Sequence, residues 1–381
     1  MHRMIYLLAL GVFLTATSEL IISGILPQIA EDLNISLAVS GQLVSVYSLS
    51  FAIGTPLIVS ITSRIKRNRV LTGSLILFLI GSLIAFLSTD IVTLMLSRVL
   101  LGITSGVYLV AVFSSASKMV KPEQLGRAIS TIVLGFSSAM ILGVPIGIAL
   151  ANWFHWQTMF LILGVLTLLI LYPIARFLPD LEGDAPVSFF RQFKVIVSMV
   201  IAGGFLITFL RESGNAVFFT YMVPYIQEIL RFNAEYSSVI MLGLGLLGAT
   251  GARLGGFSVD HFGTVRTISI SLIVHITALA SLFIVGSISG LALFLLALLI
   301  MSMFIGGTAM QSYFIQKAPQ SSNFVLSLNT SIVHLGLAAG TGTGGYLLES
   351  SQTLAHLPLY AAIILSVGLL IAGVVFTRKS Q

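Results

Sequence analysis

Long apolar stretches separated by short polar loops run the whole length of the chain. Windows of about 20 mostly apolar residues, enough to cross a roughly 30 Å hydrocarbon core as a helix, fall at 5–30, 38–62, 70–89, 91–113, 127–151, 157–176, 198–227, 236–257, 266–286, 290–315, 324–347 and 357–376. The pattern predicts an all-α polytopic membrane protein with twelve transmembrane helices. The seventh window is over-long or broken. The first window follows a basic residue, as a signal peptide would. However, Glu19 interrupts it, no small-residue cleavage site follows, and the apolar pattern continues to Ile29, so a retained first helix is expected.

The polar positions add organisation. Residues 176–194 form the longest polar stretch and read as a linker after the sixth window. The expected domains are an N-terminal six-helix bundle at 1–176, a cytoplasmic linker at 177–197 and a C-terminal six-helix bundle at 198–381. Alternate loops collect Arg3; Arg64, Lys66, Arg67, Arg69; Lys118, Lys121, Arg127; Arg176, Arg191, Lys194; Arg253, Arg266; Lys317; and Arg378, Lys379. The other set of loops keeps only Arg231, while Arg98 and Arg211 fall inside windows. Lys and Arg collect on the cytoplasmic side, so both termini are expected there, in an inner membrane.

The halves also resemble each other. A single shift of 197 residues carries Pro27 onto Pro224, Ile29 onto Ile226, Gly54 onto Gly251, Arg69 onto Arg266, Gly143 onto Gly340 and Gly147 onto Gly344, with Pro145 landing on Gly342. One ungapped shift thus matches window 1 to 7, 2 to 8 and 5 to 11. Two parallel six-helix repeats suit a transporter that works by alternating access, with substrate held between them.

Composition narrows the class. Residues AVILMFWYC make up 57% and charged residues 8%, with a mean hydropathy of +1.06. A soluble domain carries about 25% charged residues, so the solvent here is mostly lipid. The net charge of +6 sits in loops, which argues for a bilayer and against nucleic acid. There is no cysteine, and neither a phosphate-binding G-x-x-x-x-G-K-[ST] loop nor an H-E-x-x-H motif occurs. No cofactor, metal or catalytic constellation is expected, and the chain is expected to act as a monomer.

Several motifs resemble those of the major facilitator superfamily. Near window 8, Gly256, Asp260, His261, Gly263 and Arg266 look like its G-x-x-x-D-R-x-G-R/K loop. The first-half copy keeps Arg64 and Arg67 but has Val59 for the glycine, Ser63 for the acid and Lys66 for the second glycine. In the family this loop helps latch the halves in one state. Arg98 with Gly102 is similar to the R-x-x-x-G motif associated with proton coupling, and Gly143, Pro145 and Gly147 resemble the glycine–proline motif of antiporters in altered order. Ser18, Glu19, Gly24, Pro27, Gln28 and Asp32, together with Gly41, Gln42 and Gly135, look like the twelve-helix drug:proton antiporters and most like purine base and nucleoside efflux pumps. The resemblance implies a proton-coupled secondary transporter that exports drugs, purine bases or nucleosides. An uptake symporter or facilitator on the same fold is the alternative. A non-transporting membrane sensor or scaffold is a more distant one.

The candidate chemistry is the set of intramembrane charges. Glu19 lies about 14 residues from the inner end, roughly 21 Å deep, where an ionised acid costs about 2.5–3.5 kcal/mol; it therefore binds a proton or finds a cation. Arg98 enters about seven residues from the outer end, roughly 11 Å, in the same layer. It pairs with Glu19 or is held by backbone carbonyls. Arg211 and Glu212 stand about 100° apart on one helix, so one is expected to face a cavity and the other a neighbouring helix, unless the helix breaks near Ser213, Gly214 and Asn215. Arg211 and Glu212 are candidates for proton coupling or pair structurally with other helices. Asn215, Asn329 and His334 serve a substrate path or helix–helix hydrogen bonds. His275 reads as structural. Tyr47, Phe51, Tyr108, Phe218 and Tyr221 stack on a flat substrate or pack. Gly143, Pro145, Gly147, Gly340 and Gly344 serve close helix packing, hinging, or both.

Overall fold

The computed structural model describes residues 2–121, 124–183, 199–285 and 288–377. All of the regular structure among them is helical. The spans are α1 (His2–Asp32), α2 (Leu37–Ile61), α3 (Arg67–Leu87), α4 (Ile91–Met119), α5 (Leu125–Trp153), α6 (Gln157–Phe177), α7 (Met199–Phe219), α8 (Ala234–Phe262), α9 (Thr264–Val285), α10 (Ser289–Lys317), α11 (Ser322–Ser351) and α12 (Leu357–Thr377). Eleven helices among the described residues are long and apolar enough to cross a membrane. The twelfth, α7, falls short because Arg211, Glu212, Ser213, Gly214 and Asn215 occupy its middle.

The chain divides into two compact units, Met1–Pro186 and Val187–Gln381. Each packs its six spans in corresponding pairs: α2 on α4, α3 on α4, α1 on α5 and α3 on α6 in the first; α8 on α10, α9 on α10, α7 on α11 and α9 on α12 in the second. Local details repeat at the same offset. In α1 the helix kinks at Ile25, two residues before Pro27, whose missing N–H and bulky ring cannot continue an unbroken helix. α7 stops at Phe219 and resumes as a short helix, Met222–Glu228, which contains Pro224. The seventh span is therefore broken before its proline, and Ser213, Gly214 and Asn215 are helical and buried. After these helices, Asn34 and Arg231 both turn with positive φ, 51° and 59°. Those two positions are 197 apart.

Charge and exposure are distributed as lipid requires. Leu57, Ile61, Leu96, Leu169, Ile270 and Leu370 face outward, whereas Glu19, Arg98, Arg211 and Glu212 are buried. At one end of the first unit, the Trp156 indole donates to Asp32 Oδ2 at 2.9 Å and the Gln28 amide to Asn152 Oδ1 at 2.9 Å, tying α1 to the α5–α6 turn. Residues 184–197 of the expected linker lie outside the described residues. Its first residues dock on the first unit. Leu181 O accepts from the Arg67 amide at 2.9 Å, Asp180 from Lys66 at 2.5 Å and Asn68 at 2.6 Å, and Glu182 O from Lys118 at 2.7 Å.

Candidate functional site: buried charges in each unit

In the first unit the site is assembled by α1, α2 and α4. Glycine brings the last two together: a Cβ on Gly102 would lie 2.4 Å from the Tyr47 carbonyl, so the backbones touch there. Arg98, one turn before Gly102, therefore reaches over α2. Its guanidinium carbon stands 4.4 Å from the centroid of the Tyr47 ring, and its Nη1 donates to the Ser18 carbonyl at 2.9 Å and lies 3.4 Å from Ser18 Oγ. Arg98 is fully buried, with Nε and Nη2 unbonded. Glu19, next to Ser18, is within Coulomb range of both Arg98 and Tyr47. Of the two readings of Arg98, the carbonyl bond is present, and Glu19 sits beside it.

The Tyr47 ring has no exposed surface and the guanidinium occupies one of its faces. The Tyr108 hydroxyl donates to Leu8 O at 3.3 Å and its ring fills the space opposite Gly11. Phe51 is buried on α2.

In the second unit Arg211 and Glu212 pair with each other. The expectation that they point apart underestimated two long side chains, which bend back across the 100° between their Cα atoms. Arg211 Nη1 also donates to the Met303 carbonyl on α10 at 3.1 Å, and the Asn215 amide donates to Glu212 Oε2 at 3.3 Å. The guanidinium lies over Gly306 and Gly307, where a Cβ would come within 3.7 Å of it. His275 on α9, set aside on sequence grounds, is buried within Coulomb range of Arg211; a titratable residue in the interior of an apolar window was its only signal. Asn329 and His334 are buried on α11, where His334 Nδ1 contacts Thr330 O at 2.9 Å. Phe218 packs edge-on against Tyr225, and Tyr221 reaches Thr341 O at 3.4 Å beside a 2.8 Å contact between the Thr220 and Thr341 hydroxyls.

The profile of the Major Facilitator Superfamily matches residues 8–341. The chain belongs to that superfamily. It is 32% identical over 377 residues, 99% of its length and 96% of the relative's, to the uncharacterized MFS-type transporter YbcL of Bacillus subtilis. It is 26% identical over 364 residues, 96% and 92% of the two lengths, to the putative transporter AraJ of Escherichia coli. Among solved structures it resembles a bacterial homolog of the human lysosomal transporter Spinster (TM-score 0.83, 15% identity, 99% and 97% covered) and a D-xylose–proton symporter (0.82, 15%, 99% and 97%). Those two likenesses show the fold. Major facilitators are transporters and not enzymes, so the buried charges belong to an integral membrane transporter.

The superfamily's loop motif is built differently in the two units. Between α8 and α9, Gly263 takes φ 80°, a conformation that favours glycine, and lets α9 begin at once. Asp260 and Arg266 are exposed there, and His261 stacks on Phe257 at 4.0 Å. Between α2 and α3, Arg64 is exposed while Arg67 is buried and donates to Ser63 O at 2.6 Å. No acid stands at Ser63, and Asp180, from beyond α6, pairs with Lys66. Close fit carries the other motif. A Cβ on Gly143 would meet Thr17, one on Gly147 Ile21, one on Gly340 the Ser213 backbone and one on Gly344 the Val217 backbone. These glycines pack α5 on α1 and α11 on α7. Pro145 follows a π-helical turn, Ala139–Gly143, in which the Val144 amide reaches back to Ala139 O; the wider turn accommodates the proline within one span.

Proposed function

We propose that this transporter exports small organic molecules, drugs or purine bases and nucleosides, in exchange for protons by alternating access, with Glu19 as the proton carrier and Arg98 as its partner cation. The observation that carries the reading is a carboxylate held in an apolar bundle beside a fully buried arginine. Such intramembrane pairs mark ion pathways. The resemblance of the segment from Ser18 to Asp32 and of the Gly143–Gly147 motif to drug:proton antiporters supports export. Arg211 and Glu212 are the second pair available for coupling. Bacterial relatives support placement in the inner membrane, and the distribution of Lys and Arg supports cytoplasmic termini.

The test is Glu19→Gln in reconstituted vesicles with an imposed pH gradient, using radiolabelled adenine, inosine and the drug ethidium. The carboxamide keeps the shape and cannot exchange a proton. Gradient-driven accumulation should be abolished while counterflow exchange persists. Full gradient-driven transport by the variant would overturn the assignment and direct attention to Glu212. Movement of substrate down the proton gradient's direction in the wild type would replace export with uptake symport.

A further inference from the structure

Arg98 presents a problem that proton coupling makes acute. While Glu19 is ionised, its negative charge helps to offset the buried guanidinium. When Glu19 binds a proton that help disappears, and an unpaired buried cation is costly. The bundle must meet the charge of Arg98 by other means. The Ser18 carbonyl meets one nitrogen, and the Tyr47 ring face lies 4.4 Å from the guanidinium carbon. A ring face attracts a cation through its quadrupole, most strongly where both are desolvated, as they are here.

We propose that Tyr47 is a positioning residue for coupling, whose ring face holds the Arg98 guanidinium so that Glu19 can bind a proton without stranding that charge. The inference rests on the reading of Glu19 as the carrier.

Three further observations support it. The Tyr47 hydroxyl adjoins Ser105 without the geometry of an ordinary hydrogen bond, so the ring is the part in use. The contact is enforced by backbone, because Gly102 brings α4 against the Tyr47 carbonyl. And the three residues are replaced together in the second half. At the offset of 197, Glu19, Tyr47 and Arg98 become Ala216, Leu244 and Leu295, all buried. The second unit therefore carries no copy of this cluster at the equivalent positions.

Other titratable groups do not complicate the local picture. Of the helices packed on α1 in this unit, α2 contributes Tyr47, and α4 contributes Arg98, together with Tyr108 against Leu8 and Lys118 in its last turn. The charged residues of α5 and α6 are Arg127 and Arg176, near the helix ends. α3, packed on α4, carries Arg67 and Arg69 at its first turn.

The experiment is a fluorination series at position 47 in the full-length protein, from Tyr47→Phe to its mono-, di- and trifluoro forms. Fluorine withdraws the ring's negative face at nearly constant shape. The readout is the pH at which gradient-driven adenine, inosine or ethidium transport is half-maximal. Tyr47→Phe should keep the wild-type profile. Each fluorine should then move the midpoint to more acidic pH, because a less satisfied Arg98 leans harder on ionised Glu19. The total should be about one pH unit, given the strength of a desolvated cation–π contact. Tyr47→Leu should move at least as far, and the fluorinated series reports even if that variant fails to fold. A flat series, or a shift already complete in Tyr47→Phe, overturns the proposal. If Glu19→Gln abolishes coupling while the series stays flat, the positioning role alone fails. If Glu19→Gln still couples, the carrier assignment fails and the inference with it.

Discussion

Gly340→Ala tests the packing of the second unit most directly. A Cβ at this position would sit 2.1 Å from the Ser213 carbonyl oxygen and 2.7 and 2.8 Å from its C and Cα atoms. Ordinary contacts lie near 3.5 Å, so α11 must retreat from α7 by roughly 1.4 Å at its point of closest approach. Because all three obstacles are backbone atoms, no rotamer change relieves the clash. Overpacking of this kind costs about 1–3 kcal/mol, and the upper end applies where backbone must move. Alanine returns up to about 1 kcal/mol of helix propensity. Gly73→Ala is the control: the same chemical change in the middle of α3, where nothing lies within 4 Å, should stabilise by up to about 1 kcal/mol. Gly143→Ala should fall between them, because its obstacle is the Thr17 side chain, with Oγ1 at 2.2 Å. The assay is the fraction of monodisperse protein in detergent after stepwise heating, which gives an apparent midpoint for an irreversible loss. The expected order is Gly73→Ala above wild type, wild type above Gly143→Ala, and Gly340→Ala lowest. A Gly340→Ala midpoint at or above wild type would refute the argument, as would equal losses at Gly340 and Gly73.

Other expectations follow from the same contacts. Arg211→Ala leaves Glu212 buried without its cation and should cost about 3–5 kcal/mol, read as a fall in the same heating midpoint, with Arg211→Met, Glu212→Gln recovering most of it. Gly183→Val places a side chain 2.6 Å from Ser63 O and Arg64 C, so the segment after α6 should lift off and the Arg67 amide, bonded to Leu181 O, should exchange faster with deuterium. Asp180→Asn should leave the heating midpoint nearly unchanged, because the pair is exposed. Lys66 holds the Asp180 carboxyl below its usual range, so this small contribution is present at neutral pH and is lost as pH falls through that lowered value; Arg67 amide exchange measured against pH checks it.

Much of the fold is legible because lipid leaves so few options. A membrane span must be long and apolar, and the windows read from that rule correspond to helices among the described residues. Even the equivalence of Pro27 and Pro224 proved to mean something local, a kink in α1 and a break after Phe219. The alternative of a break at Ser213–Asn215 is not what the helix does, for an identifiable reason. Serine, glycine and asparagine mark turns in water, but here Gly214 packs against Leu365 of α12 and Asn215 bonds Glu212 within the same helix, so a tertiary contact and a bond along the helix keep the residues helical. The positive φ shared by Asn34 and Arg231 carried no glycine to announce it. The site was legible as a set of charges and not as a geometry. Nothing near Tyr47 in sequence says that an arginine 51 positions later covers its ring, and nothing near Lys66 says that its partner is Asp180. Such pairings are made by helix packing, which hydrophobic period alone does not specify.

The two units hold a buried arginine in different ways, and the difference bears on which acid carries the proton under the proposed mechanism. Arg211 is paired directly with Glu212, and its other hydrogen bond is to Met303 O, with Nε unbonded. A proton on Glu212 would neutralise the one anion in contact with that guanidinium among the described residues and leave the Met303 carbonyl to compensate. Arg98 has a carbonyl and an aromatic face, neither of which titrates at physiological pH. A proton on Glu19 therefore removes a smaller part of what stabilises its arginine. By this reasoning protonation is cheaper in the first unit, and the pair in the second behaves as a closed, nearly neutral element. Equal loss of gradient-driven transport in Glu19→Gln and Glu212→Gln, each with counterflow intact, would contradict that ordering, because it would make both acids obligatory proton sites. Loss of coupling in Glu19→Gln alone, with Glu212→Gln altering only the heating midpoint, is the expected result.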